Sequence, residues 1–394
     1  MLRSLFSGIS GLRAHQTMMD VTGNNIANVN TTGFKSSQST FQDTLSQMIQ
    51  PAGGPVPNAL GGTNPAQVGL GVRLGGITTN FTQGATQMTG RTTDLMIQGD
   101  GFFAVNNGSE TLFTRNGSFS FDTNGTLVTN GGLQVQGWQA NAAGTVNTNG
   151  SPGPITLPIS ALLPPLATTS ATFSGNLPGS SAVNTAVTTS MTVYDAAGAS
   201  STLSVTFTKA NATDWNVSYD GGTTTSGTLT FDATGAYTGG SPVVDPGTGV
   251  SADLDGITAY AGASTVNPQT QNGSSAGSLQ SFTISQDGVI NGVYSNGLKQ
   301  PLGQLALVTF NNPSGMEKAG DSMYRNTVNS GPAQFGIAGS GGRGTLQSGA
   351  LEMSNVDLAQ EFTNLVIAQR GFQANSRVIT TSDQLLEDLV NLKR

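Results

Sequence analysis

Two stretches at opposite ends of the chain carry the same apolar rhythm, with more than three hundred residues between them. Leu2, Leu5, Ile9, Leu12, Gln16, Met19, Gly23 and Ile26 fall at alternating spacings of three and four. So do Leu358, Phe362, Leu365, Gln369, Phe372, Ser376, Ile379, Asp383, Leu386 and Val390. That spacing predicts two helices, each with a heptad seam interrupted by polar residues. In the second stretch Asp357 and Glu361 come early and Lys393 and Arg394 come last, as the helix dipole favours. Ser354 or Asn355 suits its N-cap. Helices this short with seams this broken are marginal alone in water. The two segments are therefore expected to form one coiled-coil module, ordered by packing among neighbouring copies. A helical hairpin docked on the chain's own core is the alternative.

The first helix runs into NNIANVNTTGFK, residues 24–35, with four asparagines in seven residues. Asn and Thr side chains compete for backbone hydrogen bonds and loosen a helix end. Gly33 can take a left-handed turn, and Phe34 then starts an extended segment.

Between the ends only short strands are expected. Charged residues make up 9% of the chain, against about 25% in an ordinary globular domain. Residues 51–65, PAGGPVPNALGGTNP, read as a loop. Val72, Leu74, Ile77 and Phe81 read as strand positions, and Phe113, Phe119, Phe121 and Leu127 as core faces of strands separated by RNG and DTNG turns. The uncharged, proline-rich stretch SPGPITLPISALLPPLATTS at 151–170 reads as a linker or hinge. Beyond it Val193, Leu203, Val205, Phe207, Trp215 and Val217 mark the apolar side of a β-meander. After residue 280 the earlier strand style resumes, so residues 145–280 are expected to form a domain inserted into the one built by the residues on either side.

Chemistry finds few candidates. The chain has no cysteine, which excludes thiolate metal sites, disulfides and a thiol nucleophile. Its one histidine, His15, sits on the first helix without a GxSxG elbow and is read as structural. Asp122, Asp195 and Asp232 each precede a glycine by three residues, resembling pieces of calcium loops. None has the full ligand set, and tight turns use the same residues. GSGGRG at 339–344 lacks the GxxxxGK[ST] of a phosphate loop. Net charge is −7, and residues 145–280 hold seven acidic groups against Lys209 alone, so no basic stripe is available for nucleic acid. No apolar run reaches membrane-spanning length. Glycines and serines after Arg3 do not suit a cleaved secretory signal. No enzyme activity, metal or cofactor is expected.

Both termini together resemble one family. NNIANVNTTGFK at 24–35 is similar to the signature of bacterial flagellar rod, hook and hook-associated axial proteins, and residues 354–392 to their shared C-terminal region. DGVINGVYSNG, LGQLALVTFNNPSGMEKAGDSMY and GSGGRGTLQSGALEMSNVDL resemble the hook members in particular. The resemblance implies a multi-domain α+β fold of nested, discontinuous domains. An inner α-helical coiled-coil domain would comprise 1–33 and 355–394, with a connecting segment at 34–75 and 341–354. A middle β domain would take 76–144 and 281–340, and an outer β domain 145–280. Subunit contacts would fall on Leu2, Leu5, Ile9, Leu12, Met19, Ile26, Leu358, Phe362, Leu365, Phe372, Ile379, Leu386 and Val390. The family motif would be carried by Asn24, Asn25, Ala27, Asn28, Thr31, Gly33, Phe34 and Lys35. Phe41 and Leu45 resemble the family's export-gate motif, and a buried pair one helical turn apart is the rival reading. Implied partners are further copies in a tubular homo-oligomer, the distal rod, hook cap and hook-filament junction proteins, and the type III export apparatus. Implied location is the extracellular hook, reached without a cleaved signal. Rival readings are a distal rod subunit and, from another class, a secreted β-rich adhesin.

Overall fold

The computed structural model describes residues 2–55, 61–141, 144–158, 162–219, 224–240, 243–245 and 249–391. The chain is mostly β, with one long helix near each end: α1 (Leu2–Ala27) and α2 (Leu358–Asn391). None of the described helices is long and apolar enough to cross a membrane. The N-cap of α2 is Asp357 rather than Ser354 or Asn355, because its Oδ1 accepts the backbone N–H groups of Ala359 and Gln360 at 2.9 and 3.3 Å.

Two compact units emerge. The first comprises Met1–Leu157, Thr283–Asn291 and Pro301–Arg394, and the second Pro158–Phe282 with Gly292–Gln300. In the first, Phe102–Asn106 pairs antiparallel with Thr111–Thr114, and also with parts of Gln134–Gln139 and Leu307–Thr309. Both faces of Phe102–Asn106 are covered, so it is apolar without alternation. Phe102, Phe113, Phe310 and Tyr324 form an aromatic core in edge-to-face contacts. Thr345–Ser348 pairs with Leu95–Gln98, and Ala350–Glu352 with Thr86–Met88, which brings the chain back toward α2.

After α1 the chain forms a two-stranded ribbon. Strand β1 (Ser37–Asp43) meets β4 (Val72–Thr79), and β2 (Ser46–Gln50) meets β3 (Ala66–Gly69). A bridge between Gly53 and Thr63 continues the ribbon into the stretch expected to be a loop, of which residues 56–60 lie outside the described residues. Midway along, the ribbon rests on α1, where Ser10 Oγ accepts the N–H of Val72 at 3.2 Å.

The second unit is a sandwich. One sheet is the expected meander: Ala186–Tyr194, Ser200–Lys209, Asp214–Tyr219, Thr224–Phe231 and Tyr237–Gly240. Val193, Leu203, Val205, Phe207, Trp215 and Val217 point into its core, facing Phe173, Leu254 and Ile257 of a four-stranded sheet. The proline-rich stretch is not a free linker throughout. Ile155 and Leu157 are buried in the first unit, where the Ile155 carbonyl accepts the N–H of Leu127.

Candidate functional site

The two helices pack antiparallel along a row of small residues. A Cβ on Gly11 would lie 2.8 Å from the amide of Asn375, and one on Gly371 would lie 2.4 Å from Nε2 of His15. Gly8 faces Ile379 and Val378. Among the described residues, Gly8, Gly11, Ala14, Thr22 and Asn25 are the buried positions of α1, and Ala368 and Ser382 those of α2. In α1 this line is the expected heptad seam displaced by one residue. Leu5, Ile9, Leu12, Met19 and Ile26 are half-buried on its flank, and the side chain of Leu2 lies outside the described residues. In α2, Leu365, Phe372, Ile379 and Leu386 are half-buried, while Leu358, Phe362 and Val390 are exposed. Phe6, Val366, Ile367, Val378 and Leu385 are exposed as well and had not been singled out. The pair therefore buries little apolar surface of its own and presents much of it outward.

The asparagine motif is the joint between α1 and the β body. Asn25 receives the N–H of Ser37 on Oδ1 at 3.0 Å and donates from Nδ2 to the Ser37 carbonyl at 2.8 Å. The same amide nitrogen reaches Glu361 of α2 at 3.0 Å. Only an amide side chain can mimic a peptide partner in both directions. Asn28 donates to the carbonyl and Oδ1 of Asn24 and accepts the hydroxyl of Thr31, closing the helix end. Asn24 and Ala27 are exposed. Gly33 has φ +68° and donates its N–H to the Glu352 carbonyl at 2.8 Å. A Cβ there would lie 2.5 Å from Asn116 N, so close approach as well as conformation requires glycine. Phe34 is half-buried with the Lys318 ammonium 5.1 Å from its ring centroid.

Lys35 is fully buried. Its Nζ lies 2.6 Å from Glu352 Oε1 and donates to the Thr82 carbonyl at 2.7 Å. Glu352, equally buried, accepts the N–H of Gly84 on the same oxygen. Arg115 Nη1 lies 3.5 Å from Glu352 Oε2 and donates to the Gly99 carbonyl, and its guanidinium stacks over Phe102. Burial pushes Lys35 and Arg115 below their ordinary values despite the attraction of Glu352. Glu352 stood in the hook-like stretch GSGGRGTLQSGALEMSNVDL and Arg115 in an RNG turn, but no local pattern joined either of them to Lys35 far along the chain.

Phe41 lies on β1 opposite Leu74, edge-on to His15 at 5.9 Å between ring centroids. Leu45 is 82% exposed. Both belong to an extended segment and both are exposed, which rules out the buried helical pair. His15 stays in the helix contact. The three Asp turns are alike. In each, one carboxylate oxygen accepts the N–H groups two and four residues on, as at Asp122 to Asn124 and Thr126, Asp195 to Ala197 and Ala199, and Asp232 to Thr234 and Ala236. These carboxylates serve their own turns.

Comparison with known proteins covers the chain in four blocks. Residues 5–35 match the flagella basal body rod protein family, 96–175 the flagellar hook protein FlgE/F/G D1 domain, 178–274 the flagellar basal body protein FlaE D2 domain, and 347–392 the flagellar basal body rod FlgEFG protein C-terminal region. Over its whole length the chain is 40% identical to the flagellar hook protein of Borreliella burgdorferi, with 100% of both chains covered. It is 37% identical to that of Salmonella typhimurium, covering 99% of this chain and 100% of the relative. The flagellar basal-body rod protein FlgG of Bacillus subtilis is also 37% identical, with 100% of both covered. The crystal structure of Helicobacter pylori flagellar hook protein FlgE2 superposes with a TM-score of 0.55 at 15% identity, covering 68% of this chain and 100% of that one, and so shares its fold.

Proposed function

The chain belongs to the flagellar hook protein family and is a structural subunit of the hook, and from the layout of its helices we propose how it serves there. It polymerises into a curved, hollow tube that acts as a universal joint, passing motor torque to the filament. The inner module, 1–33 with 355–394, packs helix against helix between copies as a coiled coil and resists twist. Leu2, Leu5, Ile9, Leu12, Met19, Ile26, Leu358, Phe362, Leu365, Phe372, Ile379, Leu386 and Val390 meet neighbours there. The connecting, middle and outer layers follow outward at the boundaries 34–75 with 341–354, 76–144 with 281–340, and 145–280. Outer β surfaces with few charges slide as the tube bends, because few directional ion pairs must break. Phe41 and Leu45 engage the export gate before folding. The assembled tube is extracellular and contacts the distal rod, the hook cap and the hook-filament junction.

The observation that carries this reading is the amount of apolar side chain that α1 and α2 leave exposed while packing on each other through glycines. Removing residues 1–30 is expected to leave a soluble monomer that forms no tubes, read by sedimentation and electron microscopy. Normal tubes from that variant refute the reading. The full-length likeness to a Bacillus subtilis rod protein supports a second reading, a distal rod subunit. Microscopy of the polymer separates the two, since a joint bends and a rod shaft is straight.

A further inference from the structure

The charges on the helix pair are sorted into bands. The contacts Gly11–Asn375, His15–Gly371 and Asn25–Glu361 set the antiparallel register. Near the β body lie Asp357, Glu361 and, across on α1, Asp20. Next come Arg370 and Arg377, with Arg13 of α1 level between them. Farthest out among the described residues are Asp383, Glu387 and Asp388, with Arg3 as the one opposite charge there, while Lys393 and Arg394 lie outside the described residues. All are exposed except Glu361, which is half-buried. None is in an ion pair among the described residues. Band centres lie about 12 residues apart, or about 18 Å at the rise of an α-helix. That exceeds the Debye length of about 8 Å at physiological salt, so a neighbour meets each band separately.

We propose that these bands set the axial offset between adjacent copies. The occupant of the exposed helix face is a second copy, parallel to the first as in any heterologous helical assembly, and displaced by about 18 Å along the helix axis. At that offset the basic band of one copy lies beside an acidic band of the other. At zero offset every band meets its like, which is disfavoured. This deepens the reading of the chain as a hook subunit and rests on it.

The test is polymerisation of the full chain at low and high salt. R370E/R377E reverses the middle band at two exposed positions. Its critical concentration at low salt is expected to rise roughly tenfold, because exposed pairs are individually weak and two are inverted. The difference should shrink at about 1 M salt, where the Debye length is about 3 Å. E387K/D388K alone should also raise the critical concentration. Added to R370E/R377E, the same two changes should lower it, because the inverted bands attract again. Circular dichroism of the monomers checks that helix content is unchanged. Cryo-microscopy of the unaltered polymer should show contacting helix pairs offset by about 18 Å. Polymerisation that ignores both reversals, or no contacting pair at that offset, overturns the inference alone. Failure of the unaltered chain to polymerise removes the hook reading and this inference with it.

Discussion

Lys35, Glu352 and Arg115 join three distant parts of the chain at one buried point, and the charge count there is uneven, two cations to one anion. Removing the anion is expected to be costly. Glu352→Ala should destabilise the first unit by about 3–5 kcal/mol, since Lys35 would then be buried without its counter-charge and Arg115 would keep only the attraction of Asp100. Replacing Lys35 by Met in the same variant should recover part of the loss, read as a denaturant midpoint shift. Gly33→Ala should cost about 1–3 kcal/mol, through its positive φ and the approach to Asn116. At the surface, Arg325 grips Glu110 through two hydrogen bonds of 2.8 and 2.7 Å and holds its carboxyl below the ordinary value of 4.5. The folded value is the lower one, so this contribution is present above pH 4.5 and is lost as pH falls through the folded value. Glu110→Gln should flatten that acid-range dependence of the denaturation midpoint, lowering the midpoint slightly at neutral pH and leaving it unchanged in acid, where the contribution is already lost. At this scale the sequence was partly legible. Asn25, Gly33 and Lys35 stood in a motif, but why each is needed depended on Ser37, Asn116 and Glu352, which no local pattern joins to them.

Among elements, the helices were legible and their facing sides were not. A seam drawn through Leu5, Ile9 and Leu12 assumes that the largest apolar residues face the nearest partner. Here the nearest partner is the chain's other helix, and close approach favours Gly8, Gly11 and Gly371. The apolar positions are displaced to the flank, where they suit a different partner. Phe362→Gln together with Val366→Gln should therefore leave monomer helicity unchanged by circular dichroism and raise the critical concentration for assembly. A drop in monomer helicity instead would place those side chains in the chain's own packing. The meander of the second unit was legible because apolar and polar residues alternate in its sequence, as at Leu203, Val205 and Phe207, even though the intervening Thr206 is buried as well. The proline-rich stretch was partly legible: the two compact units divide within it, between Leu157 and Pro158, but Ile155 and Leu157 alternate too briefly to register as buried. On the ribbon, Phe41→Ala with Leu45→Ala should lower secretion of the chain while leaving its denaturation midpoint within about 0.5 kcal/mol, as exposed positions allow.

Over the whole molecule, two compact β-rich units hold their own cores, and the long helices do not. Stability is thus unevenly spread. The aromatic cluster around Phe102 and the sandwich around Trp215 are expected to resist opening, and the helix pair, with its glycine contact, to open readily. Low charge was informative here, because it pointed to the many short strands that build the two units. The central claim is that α1 and α2 draw their order from adjacent subunits. Amide hydrogen exchange measured on the same preparation as dilute monomer and as polymer tests it most directly. The account predicts rapid exchange across residues 2–27 and 358–391 in the monomer and strong protection of both in the polymer. Equal protection of both segments in the dilute monomer would contradict it.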